Sequence, residues 1–117
     1  ERKLRQRIKE FDGKIFTNQK AGVDLLRAVL VRATTEFADK LSRVSVRSHL
    51  VRPHHDRKVR AYLRLAAAYQ KLMQAYPRAD FDAIRAGLKE REAAMRELSA
   101  AELKLARIIR KYKMRRR

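Results

Sequence analysis

The chain has 117 residues, no cysteine, and 31 Lys or Arg against 13 Asp or Glu, which gives a formal net charge of +18. Its hydrophobic content of 45% is typical of a folded protein, so length and composition indicate one domain and exclude a disordered tail. The charge favours a polyanionic partner, with nucleic acid the first candidate, and the absence of cysteine excludes a disulfide scaffold and the usual structural zinc sites.

Helical spacing dominates the chain, because apolar residues recur at steps of three and four and only three Gly and two Pro interrupt them. This pattern predicts an all-α fold. A charged segment at residues 4–10 is followed by a turn at Asp12 and Gly13 and a possible helix start at Thr17 and Asn18. The N-terminal region is therefore expected to contain at most a short helix.

A long helix with one buried face is predicted from Val23 to the region before Pro53. Its apolar positions, spaced by three and four residues, are Leu26, Leu30, Ala33, Phe37, Leu41 and Val44. Pro53 lacks a backbone N–H and disfavours helical geometry in Arg52, so the sequence predicts a loop over residues 48–55. Asp56 is then the expected N-cap of the next helix.

The second long helix ends before Pro77 and pairs with the first as an antiparallel hairpin. Its predicted core positions are Tyr62, Leu65, Tyr69, Leu72, Met73 and Tyr76. A third helix begins at Asp80, with Gly87 weakening its continuity, and a basic C-terminal helix begins near Ser99, which has capping-box spacing with Glu102. The expected apolar positions of these last helices are Phe81, Ile84, Leu88, Leu98, Ala101, Leu105, Ile108 and Tyr112.

Basic residues concentrate around the predicted loop and on the helix that follows it. Residues 40–64 contain eight Lys or Arg and one acid, Asp56. A solvated helix face normally carries opposing acids as well. The candidate RNA-binding residues are His49, Arg52, His54, Asp56, Arg57, Lys58, Arg60, Arg64 and Lys71. An ordinary solvated basic face is the alternative interpretation of the same residues.

The sequence predicts neither catalysis nor metal binding. Asp80 and Asp82 are expected on a polar, solvated face, which would not separate their pKa values for acid and base chemistry. His54 and His55 are adjacent and are expected to point in different directions, unlike the spaced ligands of a metal site. We therefore expect no catalytic residue, no metal, no cofactor and no small-molecule substrate.

The stretch from residue 49 onward resembles a known family. Its motif residues, in order, are His49, Asp56, Arg60, YLRL at 62–65, KLM at 71–73, Tyr76, and Asp80 with Phe81. This order is similar to that of the small-subunit ribosomal protein number fifteen family, with one residue deleted after Asp56. The family's loop serine and the motif before its second helix have no counterpart in this chain.

The resemblance implies a helical protein whose second and third helices form a hairpin that binds a three-way junction of small-subunit ribosomal RNA. In that family the loop His and Asp dock in an RNA minor groove, which carries over to His49 and Asp56. Arg60 matches the second of two paired arginines in the family. Neighbouring ribosomal proteins are further implied partners.

The expected organisation is a single helical domain at 1–117, with a family-like core at 23–88 between additions at 1–22 and 89–117. Such additions resemble those of organellar members of this ribosomal protein family, and the resemblance implies a mitochondrial ribosome as the location. Glu1 in place of Met indicates a processed or trimmed chain, and no apolar run reaches the ~20 residues of a membrane-spanning helix. The alternative function is a helical scaffold or membrane-surface protein that pairs through its last amphipathic helix.

Overall fold

The computed structural model describes residues 1–17 and 19–115, with side chains at 1–14 and 19–113, and its regular structure within these ranges is entirely helical. The elements are α1 (Arg2–Thr17), α2 (Gln19–Leu25), a π-helical turn (Leu26–Leu30), α3 (Val31–Ser42), α4 (Arg52–Ala75) and α5 (Phe81–Arg115). The prediction of an all-α fold with two long helices packed against each other is confirmed.

The helices form an up-down-up-down bundle. Helix α1 runs parallel to α4, because the Tyr62 hydroxyl near the middle of α4 donates to Glu1 Oε1 (2.7 Å) beside the start of α1, and the rings of Phe11 and Tyr69 meet farther along both helices. The α2–α3 rod and α5 run antiparallel to α4 and pack on two of its sides. The described body is elongated, with principal extents of 55 × 21 × 20 Å.

The core lies along α4, as its apolar spacing predicts. Tyr62, Leu65, Tyr69 and Leu72 are fully buried, while Met73 and Tyr76 are half-buried. The buried rings also contact neighbouring helices edge to face: Phe11 on Tyr69 at 5.6 Å, and Phe37 on Tyr62 at 4.8 Å between centroids. Complete burial of side chains of this size contributes about 1.5–3 kcal/mol each to folding.

The π-helical turn changes which face of the first long rod is buried. In this turn the Val31 N–H bonds to the Leu26 carbonyl, five residues back, so the turn holds more residues than an α-helical one. Leu26 and Leu30 are buried as predicted, but the next fully buried positions are Thr34 and Ala38, one residue later than the expected Ala33 and Phe37, which are partly buried. The prediction for Val44 is wrong, because α3 ends at Ser42 and Val44 is 55% exposed.

The predicted turn at Asp12 and Gly13 is also wrong. Helix α1 continues through both residues, and the Asp12 carboxylate forms an ion pair with Arg91 on α5, so this acid links helices and does not end one. Thr17 is the last residue of α1 and does not start a helix. Asn18, the other half of that predicted helix start, lies outside the described residues.

Helix α4 begins earlier than predicted. Pro53 lies in its first turn, where its missing N–H removes no helical hydrogen bond, so proline starts this helix instead of preceding it. His54 and His55 are already helical, and their N–H groups donate to the Val51 carbonyl at 3.1 and 2.9 Å. The expected N-cap role of Asp56 is wrong, because Val51 occupies that position without a side-chain hydrogen bond.

The α4–α5 connection matches the sequence prediction closely. Helix α4 ends at Ala75, Pro77 follows in the turn, and Asp80 Oδ1 accepts a hydrogen bond from the Ala83 N–H at 3.1 Å, as an N-cap does. Phe81 departs from the prediction, because it is 70% exposed at the turn.

Helix α5 is continuous, so the predicted separate helix near Ser99 is wrong. Gly87 lies inside α5 against α4, and a Cβ placed there would come within 2.8 Å of Leu72 Cδ2. The glycine therefore allows close approach of the two helices, and their packing outweighs its low helix propensity. The expected division between residues 88 and 89 falls within this one helix. Leu98 and Ala101 are buried as predicted, whereas Tyr112 is 57% exposed.

Candidate nucleic-acid interface

Four of the candidate residues form one exposed row on α4. Arg52, Asp56, Arg60 and Arg64 are spaced by four residues, which places them on the same side of the helix over about 18 Å. We call these four residues the α4 row. Within the described part of the chain, the guanidinium groups of Arg60 and Arg64 form no ion pair. The row therefore presents cationic groups to solvent on the side of α4 that faces away from α1.

The loop at residues 43–51, which precedes the row, is held by Arg52, and the two helices that it joins are also bonded to each other. Arg52 donates from Nε and Nη2 to the Val46 carbonyl at 3.3 and 2.9 Å, and His55 Nε2 donates to the Leu41 carbonyl at 3.0 Å. His49 is exposed within this loop, and His54 is half-buried in the first turn of α4. His49 and the α4 row thus lie at the same end of the bundle.

The other three candidate residues lie against acids of neighbouring helices. Arg57 Nε is 3.3 Å from Glu97, and Lys71 Nζ is 2.7 Å from Glu90. Lys58 Nζ lies 3.2 Å from Glu1 and 3.7 Å from Glu102, with its side chain only 15% exposed. The structure therefore gives Arg57, Lys58 and Lys71 acidic partners within the bundle, unlike Arg60 and Arg64.

A polar cluster around Glu1 joins α1, α4 and α5. Burial would raise the pKa of Glu1, but hydrogen bonds from Tyr62, Arg5 and Lys58 outweigh it and lower this pKa to about 2. Burial and the hydrogen bond to Glu1 raise the pKa of Tyr62. Arg5 also pairs with Glu102. The cluster lines an open groove of about 510 Å³, and its charges largely compensate one another.

The buried tyrosines hold the bundle together and offer no stacking surface. Tyr69 accepts a hydrogen bond from Arg91 Nε at 3.4 Å, and the Arg91 guanidinium lies 6.0 Å from the centre of its ring. Burial raises the pKa of Tyr69. Arg91 also pairs with Asp12 on α1, so this arginine links three helices. The prediction that the α4 tyrosines belong mostly to the core is confirmed.

A second basic surface, missed by the sequence-based site prediction, lies at the end of α5. Lys104, Arg107, Arg110, Lys111 and Lys113 are all exposed, and the sequence contains no acid after Glu102. None of these five bases forms an ion pair with another described residue. The acid-free run was visible in the sequence, but its position beside the loop depends on how α4 and α5 pair.

Neither a metal site nor a membrane-spanning helix is found among the described residues. No group of three or more His, Cys, Asp or Glu among them is placed to hold a metal ion. Over the same part of the chain, none of the helices combines the length and apolar character required to cross a membrane.

Comparisons of the chain with protein-family models, with curated proteins and with solved structures find no match. The similarity to the ribosomal family thus rests on the motif residues at 49–81.

Proposed function

We propose that the protein is a noncatalytic RNA-binding component of the small ribosomal subunit that contacts ribosomal RNA through the α4 row and the loop at 43–51. The observation that carries the RNA-binding part is the α4 row itself, with Arg60 and Arg64 exposed and unpaired within the described chain. The ribosomal part, and its mitochondrial location, come from the sequence resemblance. Neighbouring ribosomal proteins are proposed as additional partners on the same ground.

The row has the chemistry that RNA recognition requires. Arginine donates paired hydrogen bonds to phosphate. The arginines of the loop at 43–51 add further cations beside the α4 row. Asp56 is exposed between Arg52 and Arg60, and within the described residues its carboxylate has no ion-pair partner. A carboxylate in that position can accept hydrogen bonds from ribose 2′-hydroxyls, while His49 can donate or accept. The row can therefore contact both phosphate and sugar.

Charge removal on the α4 row tests RNA binding. The double variant Arg60→Gln/Arg64→Gln should reduce the slope of log affinity against log salt by about two for a labelled three-way-junction RNA, because each phosphate contact contributes about one. Fluorescence anisotropy at several KCl concentrations measures this slope. The matched control is Lys9→Gln/Lys14→Gln, which removes the same charge from exposed positions on α1, diagonally across the bundle.

Equal changes in the two double variants would show that binding depends on net charge alone and would remove the α4 row as a site. Asp56→Ala gives a second test, because alanine has no hydrogen-bond acceptor in its side chain. It should weaken binding to RNA more than to DNA of the same sequence, because DNA lacks the 2′-hydroxyl. Tighter binding of this variant to both nucleic acids would mean that Asp56 merely repels phosphate.

The ribosomal assignment has its own experiment. The tagged protein should sediment with the small ribosomal subunit at low salt and be released from it as the salt concentration rises. Sedimentation at the top of the gradient under all salt conditions, with RNA binding intact in isolation, would leave an RNA-binding protein without a ribosomal role.

A protein-pairing scaffold is the second candidate, favoured by exposed apolar residues on α5. Leu103 and Ile109 are 55% and 51% exposed. Ile109 lies on the same side of α5 as the buried Leu98. A scaffold should self-associate in the absence of RNA, whereas the RNA-binding protein should stay monomeric after nuclease treatment. Light scattering coupled to gel filtration distinguishes these results.

A further inference from the structure

The apolar stripe of α5 continues past the part of the bundle that buries it. Its positions follow steps of three and four residues, the spacing of helices that pack along a narrow seam: Leu98, Ala101, Leu105, Ile108 and Tyr112. Leu98 and Ala101 are buried in the bundle. Leu105 and Ile108 are half-buried, and Tyr112 is 57% exposed. We call the accessible end of this stripe the α5 seam, which consists of Leu105, Ile108, Ile109 and Tyr112.

The register of α5 against α4 accounts for this exposure. Lys58 Nζ lies 3.7 Å from Glu102, and the two helices are antiparallel. The first residue of α4, Arg52, is six residues before Lys58 and is therefore level with Ile108, six residues after Glu102. From residue 109 to residue 115, no turn of α4 lies beside α5. The last two turns or so of α5 thus present apolar side chains that α4 does not cover.

An open groove of about 510 Å³ lies alongside the α5 seam. Helix α5 lines it with Leu105, Ala106 and Ile109, and α1 lines its other side with Arg2 and Arg5. The charge of Arg5 is compensated by two glutamates. Arg2 is exposed and forms no ion pair with another described residue. The groove therefore has apolar side chains on its α5 side and an available cation on its α1 side.

Cations also follow the opposite side of the α5 seam. Lys104 and Lys111 come after Glu97 at steps of seven residues, so they lie on the same side of α5 as this acid. Glu97 pairs with α4, which identifies that side as the one facing α4. Neither lysine forms an ion pair with another described residue, and the sequence contains no acid after Glu102. The seam is thus an apolar strip between available cations.

We propose that the α5 seam docks an amphipathic helix of a partner protein, whose apolar stripe is flanked by Asp or Glu. Amphipathic helices bind by laying their apolar side into such a groove. The apolar side chains of the partner contact Leu105 and Ile109, and its acids pair with the cations on both sides, as flanking charges do in paired helices. No residue of the α5 seam belongs to the α4 row, so this inference does not depend on RNA binding.

Charge and shape favour this occupant over others. Two copies of the α5 seam would bring lysines against lysines, because no acid follows Glu102 to complement them. RNA would place phosphates against apolar side chains. A flat lipid surface would not reach Leu105, which is half-buried beside the groove, whereas the protruding side chains of a helix do.

The test uses a labelled peptide of about four heptads with Leu at positions a and d and Glu at positions e and g. A scrambled peptide of the same composition has the same charge without the apolar stripe. Fluorescence anisotropy should show that the wild type binds the heptad peptide more tightly. Ile109→Gln should weaken this binding about tenfold, because it removes an apolar contact at the centre of the seam. Leu103→Gln is the matched control, since Leu103 is equally exposed on another side of α5, and should change the affinity less than about twofold.

Charge reversal tests the flanking cations. Lys104→Glu/Lys111→Glu should weaken binding of the heptad peptide by about tenfold or more, because it places acids against acids. Lys9→Glu/Lys14→Glu changes the net charge equally at exposed positions on α1 and should weaken binding much less. Every replaced side chain is exposed, so all variants should keep the thermal unfolding temperature of the wild type.

The proposal is overturned if the wild type binds the scrambled peptide as tightly as the heptad peptide, or if Ile109→Gln weakens binding no more than Leu103→Gln. It is also overturned if Ile109→Gln abolishes dimerisation of the nuclease-treated protein, which would assign the seam to a second copy. Loss of binding in the same variant to phosphatidylcholine vesicles with about one-third phosphatidylserine would assign it to a membrane instead. Arg60→Gln/Arg64→Gln should bind the heptad peptide like the wild type, so that RNA binding and helix docking fail separately.

Discussion

Thr34 offers a sharp test of the packing produced by the π-helical turn. Its side chain is fully buried on α3, and its hydroxyl has no hydrogen-bond partner among the described residues. A buried hydroxyl without a partner costs about 1–3 kcal/mol, and a methyl group in its place adds apolar burial. Thr34→Val keeps the branched shape of the side chain, so we expect the free energy of unfolding to rise by about 1–2 kcal/mol.

Urea unfolding followed by circular dichroism measures this change, with an increase of several degrees in Tm expected for a chain of this size. Thr35→Val is the matched control, because the neighbouring hydroxyl is exposed and donates to the Val31 carbonyl at 2.7 Å. Exposed substitutions of this kind change stability by less than about 0.5 kcal/mol. A less stable Thr34→Val protein would refute the reasoning and would mean that buried water satisfies the hydroxyl.

Three further predictions concern stability. Gly87→Ala should lower the free energy of unfolding in urea by about 1 kcal/mol, because the contact of the new Cβ with Leu72 outweighs the gain in helix propensity; a more stable variant would show that Leu72 moves aside freely. Ala79 has a φ of 51°, in the left-handed region, so Ala79→Gly should raise Tm by relieving about 1 kcal/mol of backbone strain, and an unchanged or lower Tm would argue against that strain. The pKa of Glu1 is lowered from 4.5 to about 2, so its carboxylate contributes stability that is complete above pH 4.5 and is lost as the pH falls towards 2. Glu1→Gln should therefore flatten the acid side of the curve of unfolding free energy against pH, and an unchanged slope there would contradict this assignment.

The bundle could be predicted largely from the sequence where local chemistry and packing agree. The apolar spacing of α4 identified its buried face, and Pro77 followed closely by the N-cap residue Asp80 identified the turn into α5, because the two signals together indicate the end of one helix and the start of the next. The predicted N-cap role of Asp56 shows where prediction from local chemistry fails. Proline both ends helices and begins them, and the sequence around Pro53 did not reveal which of the two roles it has.

Other errors came from contacts between distant parts of the chain. Gly87 and the Ser99 capping-box spacing predict a weak or interrupted helix, but packing on α4 keeps α5 continuous. The α5 partners of Arg57 and Lys58 are 40 residues or more away in sequence, on a helix whose register depends on that packing. The candidate site could therefore be located to one hairpin, whereas its division into paired and exposed cations could not.

The positions of the acids determine which cations remain without an ion pair among the described residues. Ten of the 13 acidic side chains form ion pairs with other described residues, and several of these pairs join different helices. Arg57, Lys58 and Lys71 thus belong to the electrostatics of the bundle although they lie in a strongly basic sequence. Beyond Glu102 the acids end, while α5 continues for another three turns or more. Because both helices place bases at that end, polyanion binding there would relieve repulsion within the fold, so that RNA affinity and folding stability would have a common electrostatic origin.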